Sequence, residues 1–149
     1  MRLFACLLVL SSLVSVTNAQ DSLQLRLQRD FEQGDSVLVA IHLAEAGDSL
    51  SIPIKAFEIV LEMPEGWSMK SSSSEYTLSG VKGWTTAINA DRGWIGGFSS
   101  SLDAIKTGGV LVSVLLTRHE GTESVPCIRS SRLNSGSPYS MLDNSCLVP

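Results

Sequence analysis

The feature that most constrains the fold is a period of two in the apolar residues. Leu23, Leu25 and Leu27 alternate with polar residues, and similar alternation recurs at 37–43 and 57–63. Because successive side chains of a β-strand point to opposite faces, this period indicates half-buried strands. Glycine-containing turn signals separate the runs. The pattern therefore predicts an all-β domain.

Eight or nine short strands are expected along the chain. We place them at roughly 22–29, 36–45, 54–63, 67–76, 83–90, 93–100, 109–119 and 124–134, with a short ninth near 138–142. Only 101–106 has a helical pattern, about one turn long. Many short strands with frequent glycine turns are typical of sandwiches and barrels. A length of about 130 residues after residue 19 suits a two-sheet sandwich, which is the prediction.

The first nineteen residues have the pattern of a secretory signal peptide. Arg2 precedes an apolar run, and Thr17 and Ala19 place small residues before Gln20. A short membrane anchor is the alternative, although the run is shorter than the ~20 residues of a spanning helix. We therefore predict a signal peptide over 1–19 and one domain over 20–149, without a membrane span in the mature chain. The expected location is secreted, periplasmic or at the cell surface.

Charge and cysteine content narrow the function classes. The net charge of −4 argues against non-specific nucleic-acid binding, which needs a basic surface. After export, Cys127 and Cys146 remain, and an even number of cysteines in an exported protein favours a disulfide. Two free buried thiols are the alternative.

The sequence contains no recognised catalytic or metal-binding motif. Gly-x-Ser-x-Gly, His-Glu-x-x-His and the Asp-x-Asp-x-Asp-Gly calcium loop are all absent. His42 is expected to point outward, and His119 to end its strand. Glu58 and Glu62 share one strand face, where surface carboxylates are commoner than a glycosidase pair. We expect no enzyme activity, metal or cofactor.

Three tryptophans are candidates for stacking on sugars. Trp67, Trp84 and Trp94 would form a glycan platform if they shared one exposed surface. Packing in the core is the alternative. Trp84 shares its parity with Ile88, which favours the core, whereas Trp94 shares its parity with Phe98.

Several segments, in order, carry a resemblance to cohesin domains. Residues 34–37 (Gly-Asp-Ser-Val) resemble the Gly-Asp-x-Val that opens cohesins, and 55–64 resembles the strand that cohesins close with Tyr-Asp-Pro. Residues 93–114 resemble the stretch that ends in Gly-x-Leu and a long apolar strand. Residues 132–136 are similar to the closing strand and its turn. The resemblance covers about 22–142.

This resemblance implies a nine-stranded jelly-roll sandwich that binds dockerin domains without catalysis. It implies that one sheet forms the binding face and includes the strands at 54–63 and 109–118. The sequence departs from the family pattern at Met63-Pro64, where the aspartate of Tyr-Asp-Pro is missing. The partner-binding candidates implied by the resemblance are Ile54, Ala56, Glu58, Glu62, Ser113 and Arg118.

The expected function is that of a secreted, non-catalytic, cohesin-like binding module. Its partner would be a dockerin-type protein or a polysaccharide, in extracellular assemblies related to polysaccharide use. Two alternatives remain open. One is a carbohydrate-binding module that uses exposed tryptophans, and the other is a structural subunit of a surface assembly that associates through a sheet edge.

Overall fold

The computed structural model describes residues 24–44, 53–80, 83–101, 104–134 and 145–148. Within them lie eight strands, each close to its predicted position. They are β1 (Gln24–Gln33), β2 (Ser36–Ala44), β3 (Ala56–Glu62), β4 (Trp67–Ser73), β5 (Trp84–Asn89), β6 (Trp94–Ser99), β7 (Gly109–Arg118) and β8 (Cys127–Leu133). The ninth strand, predicted near 138–142, lies outside the described residues.

Short helical turns occur where the sequence did not predict them. Two 3-10 turns span Leu78–Gly80 and Ala90–Arg92. In the segment with the helical pattern, Ile105 instead forms an antiparallel bridge with Ile54. None of the described helices is long and apolar enough to cross a membrane.

The strands form two antiparallel sheets of four. The first sheet has the order β1-β2-β7-β4 and the second has the order β5-β6-β3-β8. Pairing is nested, because β2 pairs with β7 and β3 with β6, while β4 and β5 lie at sheet edges. This is the winding of a jelly roll. The predicted all-β two-sheet sandwich is confirmed.

The core fills the space between the two sheets. From the first sheet, alternate residues such as Val39 and Ile41 point inward and are fully buried. From the second sheet, Ile59 and Ile95 meet them and are also fully buried. Because each such side chain contributes roughly 1.5–3 kcal/mol through burial, the alternation fixes which face of each strand is left for binding.

The segment 145–148 joins the edges of the two sheets. Cys146 forms the predicted disulfide with Cys127 at the start of β8. Ser145 accepts two hydrogen bonds, from the Leu27 amide to its hydroxyl (3.0 Å) and from a β8 amide to its carbonyl (2.9 Å). Leu147 is 1% exposed, inside the core. The disulfide therefore holds a segment that contacts both β1 and β8.

Candidate functional site

The second sheet presents an aromatic pair on its outer surface. In β6, Ile95 is buried, so its neighbours Trp94 and Gly96, and then Phe98, project outward. A Cβ atom at Gly96 would fall closer to the Trp94 ring than real Cβ contacts allow. The indole therefore lies across the Gly96 backbone. Phe98 is 55% exposed on the same surface.

Three cross-strand rows extend this surface over the whole sheet. They are Thr85, Phe98 and Ala56; Ala87, Gly96, Glu58 and Arg132; and Asn89, Trp94, Val60 and Ser130. We call these residues the aromatic face. On β6 this face carries only aromatic or small residues, whereas β3 places Glu58 in the middle row, opposite Gly96. Glu58 lies opposite Arg132 in register, and opposite charges at such cross-strand positions attract each other.

An open groove of about 660 Å³ adjoins Trp94. The turn Ala90–Arg92 forms one wall. The Asn89 side chain caps this turn by accepting a 3.3 Å hydrogen bond from the Arg92 amide, and Gly93 ends the turn at φ 62°. The charged residues that line the groove are Glu62, Asp91, Arg92 and Arg129. Two carboxylates and two guanidinium groups therefore surround an apolar floor.

This arrangement has the anatomy of a protein-binding surface. Protein interfaces are enriched in aromatic residues, and a few of these residues supply most of the binding energy. Among the described residues, no three His, Cys, Asp or Glu side chains come together as a group that could hold a metal ion. His42 lies on the outer face of the first sheet, and His119 is exposed beyond the end of β7.

The six partner-binding candidates do not lie on one surface. Ala56, Glu58 and Glu62 lie on or beside the aromatic face. Ile54 is 0% exposed, so its assignment as a contact residue is wrong. It is buried because a bend at Lys55 separates it from β3, and its bridge with Ile105 places it in the core.

Ser113 and Arg118 belong to the other sheet. The expectation that one sheet includes both β3 and β7 is wrong, because β7 pairs with β2 and β4. Ser113 faces outward from the first sheet. Arg118 closes one end of the core, where it forms an ion pair with Glu32 and lies 5.8 Å from the centre of the Trp67 ring. Neither residue can act together with the aromatic face.

The three tryptophans do not form one platform. Trp67 is 7% exposed in the core, and its indole N–H donates a 2.8 Å hydrogen bond to the carbonyl of Ser124. Trp84 points inward and stacks on Phe57 with a centroid distance of 5.9 Å. Trp94 alone lies on the outer surface. The glycan platform of three rings is therefore wrong, and two of its members are packing residues.

Phe98 was not among the candidates, although the sequence carries its signal. The order Trp94-Ile95-Gly96-Gly97-Phe98 places two aromatic residues at alternate positions around a glycine. In a strand, that spacing puts both rings on one face with room between them. Shared parity alone does not identify this pair, and the glycine between the two rings completes the signal.

Comparisons with known proteins match the fold of this chain but not its sequence. No family model matches the chain, and a search of curated proteins finds no similar sequence. The structure therefore defines the class of this chain, which is a jelly-roll β-sandwich of two sheets. Solved structures with this architecture include several cohesin domains.

Three of these structures illustrate the likeness. The third cohesin of ScaC from Acetivibrio cellulolyticus, solved in complex with the ScaB dockerin, matches with a TM-score of 0.55 and 14% identity, over 84% of this chain and 96% of that one. The seventh ScaB type I cohesin from Pseudobacteroides cellulosolvens has the same score and identity, over 85% and 90%. A non-cellulosomal cohesin from Archaeoglobus fulgidus gives 0.55 and 12%, over 88% and 93%. The chain therefore has the cohesin fold.

Proposed function

We propose that this chain is a secreted, non-catalytic, cohesin-like module that binds a dockerin-type protein through its aromatic face. The observation that carries the proposal is the Trp94 ring held across Gly96 beside exposed Phe98. The fold supports it, because cohesins of the same fold have been solved in complex with dockerins. Fold alone does not define function, so the proposal rests on the surface.

The energetics favour a partner with an apolar patch. An aromatic side chain covers about 150–250 Å², and removing apolar area from water contributes about 25 cal/mol per Å². Because Phe98 is 55% exposed, covering the remaining part of its ring contributes about 2–3 kcal/mol. The groove beside Trp94 carries two acidic residues, Glu62 and Asp91, and two basic residues, Arg92 and Arg129. Their formal charges therefore cancel. The expected partner therefore has an apolar centre and charges of both signs around it.

Two features support an extracellular location. The signal-peptide pattern over 1–19 is that of an exported protein. The disulfide between Cys127 and Cys146 is of a kind that persists in oxidising compartments and is rare in the cytosol. We therefore include secretion, or retention at the cell surface, in the proposal.

Glycan binding is the second candidate and now depends on Trp94. A partly exposed indole that lies beside a glycine on the outer face of a sheet offers a surface on which a sugar ring can stack. A single ring gives a smaller platform than three. A polysaccharide ligand, including one in an assembly that degrades polysaccharide, is therefore tested beside the protein partner.

The test is retention of the purified mature chain by immobilised calcium-loaded dockerins and by insoluble polysaccharides. Trp94→Ala removes the central ring, and Leu115→Ala is the control because Leu115 lies partly exposed on the outer face of the first sheet. Retention by a dockerin that is lost in Trp94→Ala and kept in Leu115→Ala supports the proposal. Retention only by polysaccharide supports the second candidate. No retention by either class contradicts both.

A further inference from the structure

The outer face of the first sheet carries a second groove, on the opposite side of the sandwich from the aromatic face. Its volume is about 400 Å³. Ala40 forms part of the floor and is only 3% exposed, although it lies on the outward side of β2. Leu38 and Val110, both partly buried, continue the floor. The groove therefore has an uncharged and largely apolar base.

Carboxylates stand at both ends of this groove. Asp30 is the extra residue of a β-bulge in β1, and Glu75 follows the end of β4. Both side chains are exposed. Because β1 and β4 are the two edges of the first sheet, three strand spacings separate them, or about 14 Å. Beside Glu75, Tyr76 is 97% exposed at the rim.

Nothing on the groove wall balances these two charges. Among the described residues that line it, none is lysine or arginine. The nearby arginines of β1 have other partners, since Arg26 donates to the Gln24 side chain (2.7 Å) and Arg29 pairs with Glu32 (2.6 Å). The groove beside Trp94 differs, because its two carboxylates lie among two arginines.

We propose that this second groove binds a short extended segment of a partner protein that carries a basic residue at each end and small apolar residues between them. An extended chain rises about 3.3 Å per residue, so about four residues span the distance between the two rims. One basic side chain would meet Asp30. The other would meet Glu75 and lie over the Tyr76 ring, where a cation is attracted to the π-face.

The expected affinity is low and dependent on salt. Exposed ion pairs strengthen binding by only about two- to fivefold each, so a dissociation constant of about 0.1–1 mM is expected at low ionic strength. Screening at about 0.5 M salt should weaken binding about tenfold, as loss of both ion pairs would, because exposed charges more than a few ångströms apart then interact little. This groove and the aromatic face are independent, so either proposal can fail alone.

The probe is the capped peptide Lys-Ala-Val-Ala-Lys, titrated into the ¹⁵N-labelled mature chain and followed by amide chemical shifts. The imidazole of His42 also lines the groove, so all titrations are run at one fixed pH. We expect shifts at Ala40 and Val110. The peptide Glu-Ala-Val-Ala-Glu should cause none. The spectra also report whether each variant is folded.

Matched variants separate a specific groove from general attraction to an acidic protein. Asp30→Asn and Glu75→Gln should each weaken binding about threefold, and together about tenfold. Glu62→Gln and Asp91→Asn remove equal charge from the groove beside Trp94 and should have no effect. Tyr76→Asn should cost about threefold; asparagine is chosen because it tolerates the φ of 57° at this position.

Several results would overturn the proposal. One is the absence of shifts at millimolar peptide and low salt. Another is equal weakening by the variants in the two grooves, which would mean attraction to net charge alone. Equal binding of the acidic peptide would also refute it. Finally, the proposal would be overturned if the chain forms a dimer in sedimentation and a second copy occupies this face.

Discussion

Two adjacent glycines of β6 make the clearest prediction, because the same substitution should act on opposite faces of the sheet. A Cβ at Gly96 would meet the Trp94 ring on the outer surface, whereas a Cβ at Gly97 would meet the Phe57 ring in the core. Neither glycine has a positive φ, so alanine is allowed by the backbone at both positions. Only the neighbouring ring differs.

The magnitudes follow from how freely each ring can move. Phe57 is 4% exposed and stacked on Trp84, so Gly97→Ala overpacks the core and should cost about 2–3 kcal/mol of unfolding free energy. Trp94 borders solvent and can move away. In Gly96→Ala its lost contact is offset by the roughly 0.5–1 kcal/mol that alanine gains over glycine within a strand. The net change should be under about 1 kcal/mol.

The assay is urea unfolding of the two variants, followed by circular dichroism, with the aromatic-face binding measured on the folded proteins. Gly97→Ala should lower the unfolding midpoint clearly. Gly96→Ala should leave it nearly unchanged but weaken partner binding about tenfold, because a central aromatic residue has moved. Equal destabilisation by the two variants would refute the reasoning, since Trp94 would then be a core residue.

Three further predictions concern stability. Reducing the disulfide, or Cys127→Ser with Cys146→Ser, should lower the free energy of unfolding by about 3 kcal/mol, and an unchanged urea midpoint would contradict the contact of 145–148 with both sheets. Trp67→Phe should cost about 1–3 kcal/mol through the lost indole hydrogen bond, without changing retention by polysaccharide. Ile54→Ala should cost about 2–5 kcal/mol in thermal unfolding and leave partner affinity intact, and a specific loss of affinity would restore Ile54 as a contact residue.

Strand positions could be predicted from the sequence because alternation is a local property. The period of two located all eight described strands and correctly oriented Trp84 toward the core. The predicted ends were less accurate. β4 ends at Ser73 rather than near residue 76, because Tyr76 has a φ of 57° and leaves the extended region.

The distribution of strands between sheets could not be predicted in the same way. Parity tells which residues share a face of one strand, but not which strands pair. The structure separates β3 from β7, so Ser113 and Arg118 lie away from Glu58. Ile54 was misplaced for a related reason, since the bend at Lys55 ends the parity that its position implied.

The central claim is that the aromatic face, rather than the outer face of the first sheet, binds the dockerin-type partner. Two phenylalanines allow a matched test, because Phe98 is 55% exposed on the aromatic face and Phe31 is 58% exposed on the outer face of the first sheet. The measurement is isothermal titration of Phe98→Ala and Phe31→Ala with a dockerin that the wild-type chain retains. We expect Phe98→Ala to weaken binding about tenfold and Phe31→Ala to leave it unchanged. The reverse order, or equal losses, would contradict the claim.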